Sequence, residues 1–579
     1  MKNKLIISTL LAALTLSSFA ARNTETQESK QTNKKWWKEA IVYQLYPRSF
    51  KDSNGDGIGD LQGVISKLDY IKSLGVTAVW FNPIYTSPND DNGYDISDYR
   101  DIMKDFGTMA DFDQLLKGMH DRGIKLVMDL VVNHSSDEHE WFKQSRSSRT
   151  NPYRDYYHWW PAEKGKPAPR YSGFDVDGDA WAYDSLTNAY YLHFFSRKQP
   201  DLKWENPKVR REVQDIMKFW LDKGIDGFRM DAFQFVAKDT TFPALPKAYD
   251  KQLVGMLNGL HGYLQEMNRE VICKYDIMTV AEGAGNTVED AHALVDADRN
   301  ELNMAYHFEG TSIGGPKGYN LLDFKNIYTK WDSAFANKGW LSIYLANHDI
   351  SRMVSKFGND SPQFREVSSK MLTTFIMSMR GTPYYYNGDE IGMTNIRLDK
   401  IEDYRDLAAI NSYKYCKNTG GDLTEFMENL KFSSRDNART PFQWNNSTNA
   451  GFTAGTPWLK VNPNYKQVNA ATQEKDPNSV LNYFRKMTKL RAENPVLVYG
   501  DYSLLDAKNP KVYSYLRKLD GKQFLVMLNF STANATAETG LSATNAELKI
   551  SNYADKVIAP NSAGQFELRP YEAVIYELK

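Results

Sequence analysis

The feature that most constrains the fold of this chain is a regular alternation, from Ala40 onward, of short apolar runs with amphipathic stretches of helical length. This pattern is typical of βα units around a parallel sheet. Eight apolar runs are candidate strands: residues 41–46, 78–82, 125–131, 227–231, 277–281, 305–308, 341–346 and 382–386. Because a closed (β/α)₈ barrel needs eight strands, the sequence predicts an α/β protein with a TIM barrel.

Two segments interrupt the alternation. Residues 135–204 are long, aromatic and loop-like, and they predict an inserted loop-rich subdomain between the third and fourth strands. Residues 499–579 change to strands of alternating polarity, which predict a C-terminal antiparallel β-sandwich domain. The barrel is therefore expected in two parts, 36–134 and 205–498.

The first residues are typical of an exported protein. Lys2 and Lys4 precede an apolar stretch, 5–16, and small residues follow it, so residues 1–21 are predicted to be a cleaved signal peptide and 22–35 a flexible leader. The apolar stretch is too short to span a bilayer, and no later stretch reaches 18 consecutive apolar residues. We therefore expect a secreted or periplasmic protein without membrane insertion.

Charge and cysteine content exclude some partners. Lys and Arg number 71 against 72 for Asp and Glu, so the chain lacks the basic excess of nucleic-acid-binding proteins. Cys273 and Cys416 are the two cysteines, too few for a disulfide framework, and whether they pair is left open. A monomer is expected.

Polar residues occur where several candidate strands end, and barrel active sites lie at these ends. They are Asn133, His134, Arg229, Asp231, Glu282, His348 and Asp349. Any one of them could be a loop or capping residue, but together they predict a catalytic site. Glycoside cleavage needs one carboxylate nucleophile and one carboxylic acid that protonates the leaving oxygen. An arginine beside the nucleophile favours its ionised form.

Several longer motifs resemble those of a known family. Asp129-Leu-Val-Val-Asn-His134, Gly227-Phe-Arg-Met-Asp231, Thr279-Val-Ala-Glu282 and Asn347-His-Asp349 resemble the four core motifs of the α-amylase family of glycoside hydrolases (family 13). Gln199-Pro-Asp-Leu202 and the stretch from Ser434 to Pro441 resemble its oligo-1,6-glucosidase and α-glucosidase branch. The resemblance extends from about Trp36 to the C-terminus.

The resemblance implies the roles of the catalytic residues. Asp231 would be the nucleophile, Glu282 the general acid/base and Asp349 the third carboxylate, which holds sugar hydroxyls. The family retains the anomeric configuration, which implies carboxyl groups of Asp231 and Glu282 about 5–5.5 Å apart.

The resemblance also implies the residues that bind the sugar. His134 and His348 would hydrogen-bond glucose hydroxyls, and Arg229 would fix Asp231. Asp91, Tyr94 and Arg439 match the pocket for the terminal sugar: Tyr94 would stack on the glucose, while Asp91 and Arg439 would grip its outer hydroxyl. A pocket closed in this way makes cleavage exo. The alternative for Asp91 and Arg439 is a surface ion pair.

One loop is a candidate metal site. Asp52, Asn54, Asp56 and Asp60 place side-chain oxygens at alternate positions, and Ile58 would add a backbone carbonyl, an arrangement suited to a structural Ca²⁺ ion. The same run occurs in the branch as a Ca²⁺ site. The alternative is a glycine-rich turn, since Asn-Gly and Asp-Gly are strong turn dipeptides.

Ala232, directly after the proposed nucleophile, bears on substrate choice. In this branch valine at that position accompanies α-1,6 cleavage, and alanine or threonine accompanies α-1,4 preference. We therefore expect a retaining α-glucosidase acting on short α-glucan oligosaccharides, with α-1,4 bonds favoured. The alternatives are an oligo-1,6-glucosidase, a transglucosylase or sucrose- or trehalose-type isomerase, and a non-catalytic binding protein on the same barrel.

Overall fold

The computed structural model describes residues 34–247, 252–541, 545–555 and 564–579. The predicted signal peptide and all but the last two residues of the predicted leader lie outside the described residues. Cys273 and Cys416 are free thiols. None of the helices in the described ranges has the length and apolar character needed to cross a bilayer.

Eight parallel strands form the barrel that the sequence predicts. In chain order they are β1 (Val42–Leu45), β2 (Ala78–Phe81), β3 (Lys125–Val131), β4 (Gly227–Asp231), β5 (Met278–Glu282), β6 (Met304–Tyr306), β7 (Ser342–Ile343) and β8 (Thr382–Tyr386). Their order in the sheet is β6-β5-β4-β3-β2-β1-β8-β7, and a parallel bridge between Ala305 and Leu341 joins the two ends. The predicted seventh strand was too long, because the chain leaves the sheet after Ile343.

Helices surround the barrel between consecutive strands and after the last one. They are Leu61–Ile65, Leu68–Ser73, Met109–His120, Pro207–Lys223, Leu260–Glu270, Val288–Val295, Leu321–Ala334, Arg365–Ser378 and Val480–Glu493. The local sequence explains their ends. Before Pro207, for example, Asn206 accepts a hydrogen bond from the Lys208 N–H, and Gly224 ends this helix in the left-handed conformation.

The insertion after β3 contains the helix Glu140–Ser147 and a three-stranded antiparallel sheet of Trp159–Pro161, Trp181–Asp184 and Ala189–Leu192. A second excursion, which the sequence did not predict, follows β8. It is a helical hairpin, Leu407–Asn418 and Leu423–Ser433, followed by the short helix Asp436–Arg439. Both excursions leave the barrel at the carboxyl ends of the strands, so they form walls around that end.

The C-terminal domain is antiparallel, as predicted. Its larger sheet contains, in spatial order, Asp501–Leu505, Val512–Leu519, Lys522–Asn529, Ala573–Leu578 and Glu547–Ser551. A two-stranded sheet, Ala535–Glu538 with Gln565–Leu568, packs against it through buried residues that include Leu525, Met527 and Phe566. The two sheets with a shared core form the expected sandwich.

Candidate active site

Four charged side chains meet at the carboxyl ends of β3, β4 and β5. Arg229 and Asp231 are two residues apart on β4, so their side chains point to the same side of the strand. Arg229 Nη1 donates to Asp129 Oδ1 at 2.9 Å and also to Asp231 Oδ1. Arg229 Nη2 lies 2.6 Å from Glu282 Oε1. One buried guanidinium therefore connects three carboxylates, two of them the predicted nucleophile and general acid/base.

The charge balance of this cluster governs its protonation. Burial raises the pKa of Asp231 well above its usual range; Arg229 opposes this, and the nearby carboxylates of Glu282 and Asp129 add to it. Burial likewise raises the pKa of Asp129 to about 6, against the opposing effect of Arg229. One cation thus faces three acids, so the negative charges of the carboxylates oppose the full ionisation of Asp231 and Asp129, and Arg229 favours it.

Tyr94 is held beside the cluster by a chain of hydrogen bonds. Its hydroxyl donates to Asp129 Oδ2 at 3.0 Å and lies 2.6 Å from His348 Nε2. Gln44 Nε2 donates to His348 Nδ1 at 2.8 Å, which leaves the proton of a neutral His348 on Nε2. The rings of Tyr94 and His348 stack with centroids 5.3 Å apart. One face of Tyr94 is thus covered by His348, and Tyr94 also lines the pocket described below.

Burial keeps both predicted histidines neutral, and both form hydrogen bonds within the site. Burial lowers the pKa of His134 to about 3, and it lowers the pKa of His348 well below its usual range although Asp349 opposes the shift. His134 Nε2 lies 3.1 Å from the Tyr94 carbonyl oxygen, which ties β3 to the loop that carries Tyr94.

Asp349 lies opposite the cluster, within reach of two arginines. Its Oδ1 accepts from Arg439 Nη2 at 2.7 Å and from Arg435 Nη1 at 3.2 Å. Burial alone would raise the pKa of Asp349, but His348, Arg435 and Arg439 outweigh it and hold the pKa well below its usual range. The Asp349 carboxyl group is therefore ionised in the folded protein near neutral pH, which suits a group that binds sugar hydroxyls.

Asp91 and Arg439, which the sequence predicts to bind the outer hydroxyl of the sugar, have different protein partners. Asp91 Oδ1 accepts from Arg435 Nη2 at 3.2 Å, whereas Arg439 binds Asp349 and the His348 carbonyl oxygen. Arg435 and Arg439 are one helical turn apart and both reach Asp349 Oδ1, and Arg435 contacts Asp91 as well. The motif from Ser434 to Pro441 contained Arg435, but its spacing could not distinguish the two arginines.

Six of the predicted site residues line one pocket with aromatic walls: Asp91, Tyr94, His134, Asp231, Glu282 and Asp349. Arg229, His348 and Arg439 lie behind them as hydrogen-bonding partners. The lining of the pocket consists of Asp91, Tyr94, His134, Phe174, Phe195, Gln199, Asp231, Ala232, Gln234, Phe235, Glu282, Phe308, Asp349 and Arg435. The sequence analysis assigned no role to Phe174, Phe195, Gln234, Phe235, Phe308 or Arg435. Phe174 and Phe195 come from the inserted subdomain, and isolated aromatic residues in loops carry no sequence signal of a pocket. Flat rings at the rim and acids at the centre suit a sugar, which has apolar faces and polar edges.

The loop of residues 52–60 has oxygen ligands that suit Ca²⁺ chemically, and two of its carboxylates, Asp52 and Asp60, accept hydrogen bonds from neighbouring groups. Asp52 accepts from the backbone N–H groups of Asn54, Gly55 and Gly57 at 2.7–2.9 Å, and from the Thr453 hydroxyl. Asp60 accepts from Ser53 and from the Gly63 N–H. Within the described residues no three acidic, histidine or cysteine side chains form a metal cluster. In this structure the loop therefore has the hydrogen bonds of a glycine-rich turn.

The fold and the acid cluster define a barrel enzyme with the carboxylates of a glycosidase, and comparison with known proteins identifies the family. A sequence model of the α-amylase catalytic domain matches residues 44–500. An oligo-1,6-glucosidase from Parageobacillus thermoglucosidasius is 52% identical in an alignment of 560 residues that covers 94% of this chain and 99% of the relative. An α-glucosidase from Pediococcus pentosaceus is 45% identical in an alignment of the same length, which also covers 94% of this chain and 99% of the relative.

A solved structure agrees with this. The isomaltulose synthase of Protaminobacter rubrum matches with a TM-score of 0.89 at 43% identity, over 94% of this chain and 100% of that chain. The chain therefore belongs to the α-amylase family, and it is a glycoside hydrolase of the glucosidase type.

Proposed function

We propose that this chain is a retaining exo-α-glucosidase that releases glucose from the non-reducing end of short α-glucan oligosaccharides, with α-1,4 bonds favoured over α-1,6 bonds. The observation that carries the proposal is the pairing of Asp231 and Glu282 on the two outer nitrogens of Arg229, at a pocket also lined by Asp91, Asp349 and Arg435. A glucose held by these polar groups presents its anomeric carbon to the two catalytic acids.

The proposed reaction has two displacements. Asp231 attacks the anomeric carbon and forms a glucosyl ester, while Glu282 donates its proton to the departing glycosidic oxygen. Glu282, now ionised, takes a proton from water, and the resulting hydroxide displaces Asp231 and releases glucose with its configuration retained. Ester formation neutralises Asp231, so it also reduces the negative charge that Arg229 must balance.

The backbone at Ala232 supports a role for this position in linkage preference. Ala232 follows the nucleophile directly, lines the pocket and has a left-handed conformation with φ of 45°. Its N–H donates to Glu282 Oε2 at 2.8 Å, which places its methyl group beside the acid that serves the leaving sugar. A larger side chain there would narrow the space for the leaving group and change which linkage fits.

The second candidate is an oligo-1,6-glucosidase, favoured by the name of the relative that is 52% identical. A panel of maltose, isomaltose, panose, sucrose, trehalose and starch separates the two candidates. We expect kcat/KM for maltose to exceed that for isomaltose, and Ala232→Val to lower this ratio by about tenfold or more. Faster release from isomaltose by the unmodified enzyme would instead support the oligo-1,6-glucosidase. Formation of an isomerised disaccharide from sucrose would support a transglucosylase. The absence of any product from all six sugars would support a non-catalytic binding protein.

A further inference from the structure

Arg435 is surrounded by three carboxylates, and only one of them lies outside the pocket. Its Nη2 and Nη1 lie 3.2 Å from Asp91 Oδ1 and 3.2 Å from Asp349 Oδ1, respectively. Asp406 Oδ1 accepts from the same guanidinium twice, from Nη2 at 2.5 Å and from Nε at 3.0 Å. Asp91 and Asp349 line the pocket, whereas Asp406 does not. Asp406 therefore makes the closest contacts with Arg435 from behind the site.

Asp406 is itself firmly held. It is 2% exposed and is the N-cap of the helix Leu407–Asn418, where its Oδ1 also accepts from the Ala408 N–H at 3.0 Å. The backbone N–H groups of Arg405 and Asp406 donate to Asp436 Oδ2 at 2.7 and 3.0 Å. Since Asp436 is the residue after Arg435, the two ends of the helical hairpin are joined at the arginine.

The hairpin also reaches the opposite wall of the pocket. Asn411, on the same helix, donates through Nδ2 to the Phe174 carbonyl oxygen at 2.8 Å. The guanidinium carbon of Arg435 lies 5.0 Å from the centroid of the Phe174 ring. One edge of the guanidinium is thus fixed by Asp406, and one face is covered by an aromatic ring that the hairpin holds in place.

We propose that Asp406 is a positioning residue for sugar binding, which acts by holding Arg435 at its observed distance from Asp91 and Asp349. Without the Asp406 charge, the guanidinium would be balanced only by the two pocket carboxylates and would move closer to them. The sugar hydroxyls would then compete with Arg435 for the same carboxylate oxygens, so substrate would bind more weakly. The inference rests on the proposed binding of a terminal glucose by Asp91 and Asp349.

Asp406→Asn tests this without removing the helix cap, because asparagine caps helices as well as aspartate does. We expect KM for maltose, and the inhibition constant for free glucose, to rise about tenfold to a hundredfold, with a smaller change in kcat and little change in Tm. The matched control is Asp422→Asn. Asp422 is the exposed N-cap of Leu423–Ser433 and accepts from the Thr424 and Glu425 N–H groups, with no arginine beside it in the described residues. The KM of the Asp422→Asn variant for maltose should equal that of the unmodified enzyme.

Asp406→Ser provides a second uncharged cap if the asparagine variant does not fold, and Asp406→Glu should restore part of the affinity because it restores the charge. The inference would be overturned if both uncharged variants, Asp406→Asn and Asp406→Ser, had a KM and an inhibition constant for glucose within twofold of those of the unmodified enzyme. So would a loss of kcat and Tm with KM unchanged, which indicates a structural role alone. If the unmodified enzyme releases no glucose from any α-glucoside, it is the proposed function that fails.

Discussion

Arg229 shows how much of the chemistry depends on one side chain. It is fully buried, its guanidinium carbon lies 5.1 Å from the Trp80 ring, and it contacts Asp129, Asp231 and Glu282. The sequence analysis expected this arginine to keep Asp231 ionised. In the structure its charge is shared among three acids, and burial with the neighbouring carboxylates raises the pKa of Asp231 in spite of it. Arg229 therefore favours ionisation of the nucleophile, but burial and the two neighbouring carboxylates oppose it.

Asp231→Asn is expected to lower kcat on maltose by about 10⁴-fold or more, because the amide cannot form the glucosyl ester. Arg229 still contacts Asp129 and Glu282 in this variant, so Tm should change by only a few degrees. Glu282→Gln serves as the comparison: it should lose much less activity on p-nitrophenyl α-glucoside than on maltose, since nitrophenolate leaves without a proton. More than about a tenth of the activity remaining in folded Asp231→Asn would contradict the assignment of the nucleophile.

Among the individual elements, the loop of residues 52–60 is either a Ca²⁺ site or a glycine-rich turn without a metal, and a Ca²⁺-binding experiment distinguishes the two. Its hydrogen bonds are those of consecutive turns, yet Asn54, Asp56 and Ile58 still offer oxygens of the kind that Ca²⁺ prefers. We propose that a Ca²⁺ ion binds this loop and stabilises the folded protein, with no part in the reaction.

Removal of Ca²⁺ with EGTA is expected to lower Tm by several degrees, because an ion that binds only the folded state stabilises it. Asp56→Ala should lower Tm in Ca²⁺ to the same value and abolish the response to EGTA. Asp101→Ala is the matched control: Asp101 is also exposed and accepts one backbone N–H, from Ile102 at 2.8 Å, but lies outside the loop. If the unmodified protein has the same Tm in Ca²⁺ and in EGTA, the loop is a turn that binds no Ca²⁺.

Across the whole molecule, buried polar groups join the parts that the chain order separates. Lys325, on a barrel helix, donates to the carbonyl oxygens of Asp506, Asn509 and Val512 at 2.9–3.1 Å. Arg517 of the C-terminal domain donates to the carbonyl oxygens of Ser378, at the end of a barrel helix, and of Leu497. The C-terminal domain is thus fixed to the barrel by cations that bind backbone oxygens.

Asp389, buried after β8, makes the stability of the folded protein depend on pH. Burial raises the pKa of Asp389 to about 7, although Arg352 opposes the shift. The folded protein then retains a proton that the unfolded chain loses near pH 4. The contribution of Asp389 to the free energy of unfolding is therefore fully present below pH 4 and is lost as the pH rises through 7. The total loss is roughly 4 kcal/mol at most.

Asp389→Asn should therefore increase the free energy of unfolding relative to the unmodified protein, by more at pH 8 than at pH 5, as measured by urea denaturation. Asp520→Asn, at an exposed turn, should give the same difference at both pH values. A difference for Asp389→Asn that does not grow with pH would contradict the prediction.

The amino-acid sequence by itself determined the α/β class, the number of barrel strands, and the positions of Asp231, Glu282 and Asp349. This was possible because apolar periodicity along a short segment reports strands, and because parallel strands of a barrel end on the same side. The α/β class, the strand count and the location of polar residues at strand ends need only neighbouring residues and one general rule of topology, whereas the roles of Asp231, Glu282 and Asp349 were implied by the resemblance to the α-amylase family.

Tertiary structure alone decided the pairing of Asp91 with Arg435, the position of Asp406 behind that pair, and the charge balance around Arg229. Asp91 and Arg435 are 344 residues apart in the chain, and Arg435 and Arg439 differ only by one helical turn. Local patterns cannot distinguish such partners. Which acid meets which cation depends on distances between loops from different strands, and burial then sets their charges.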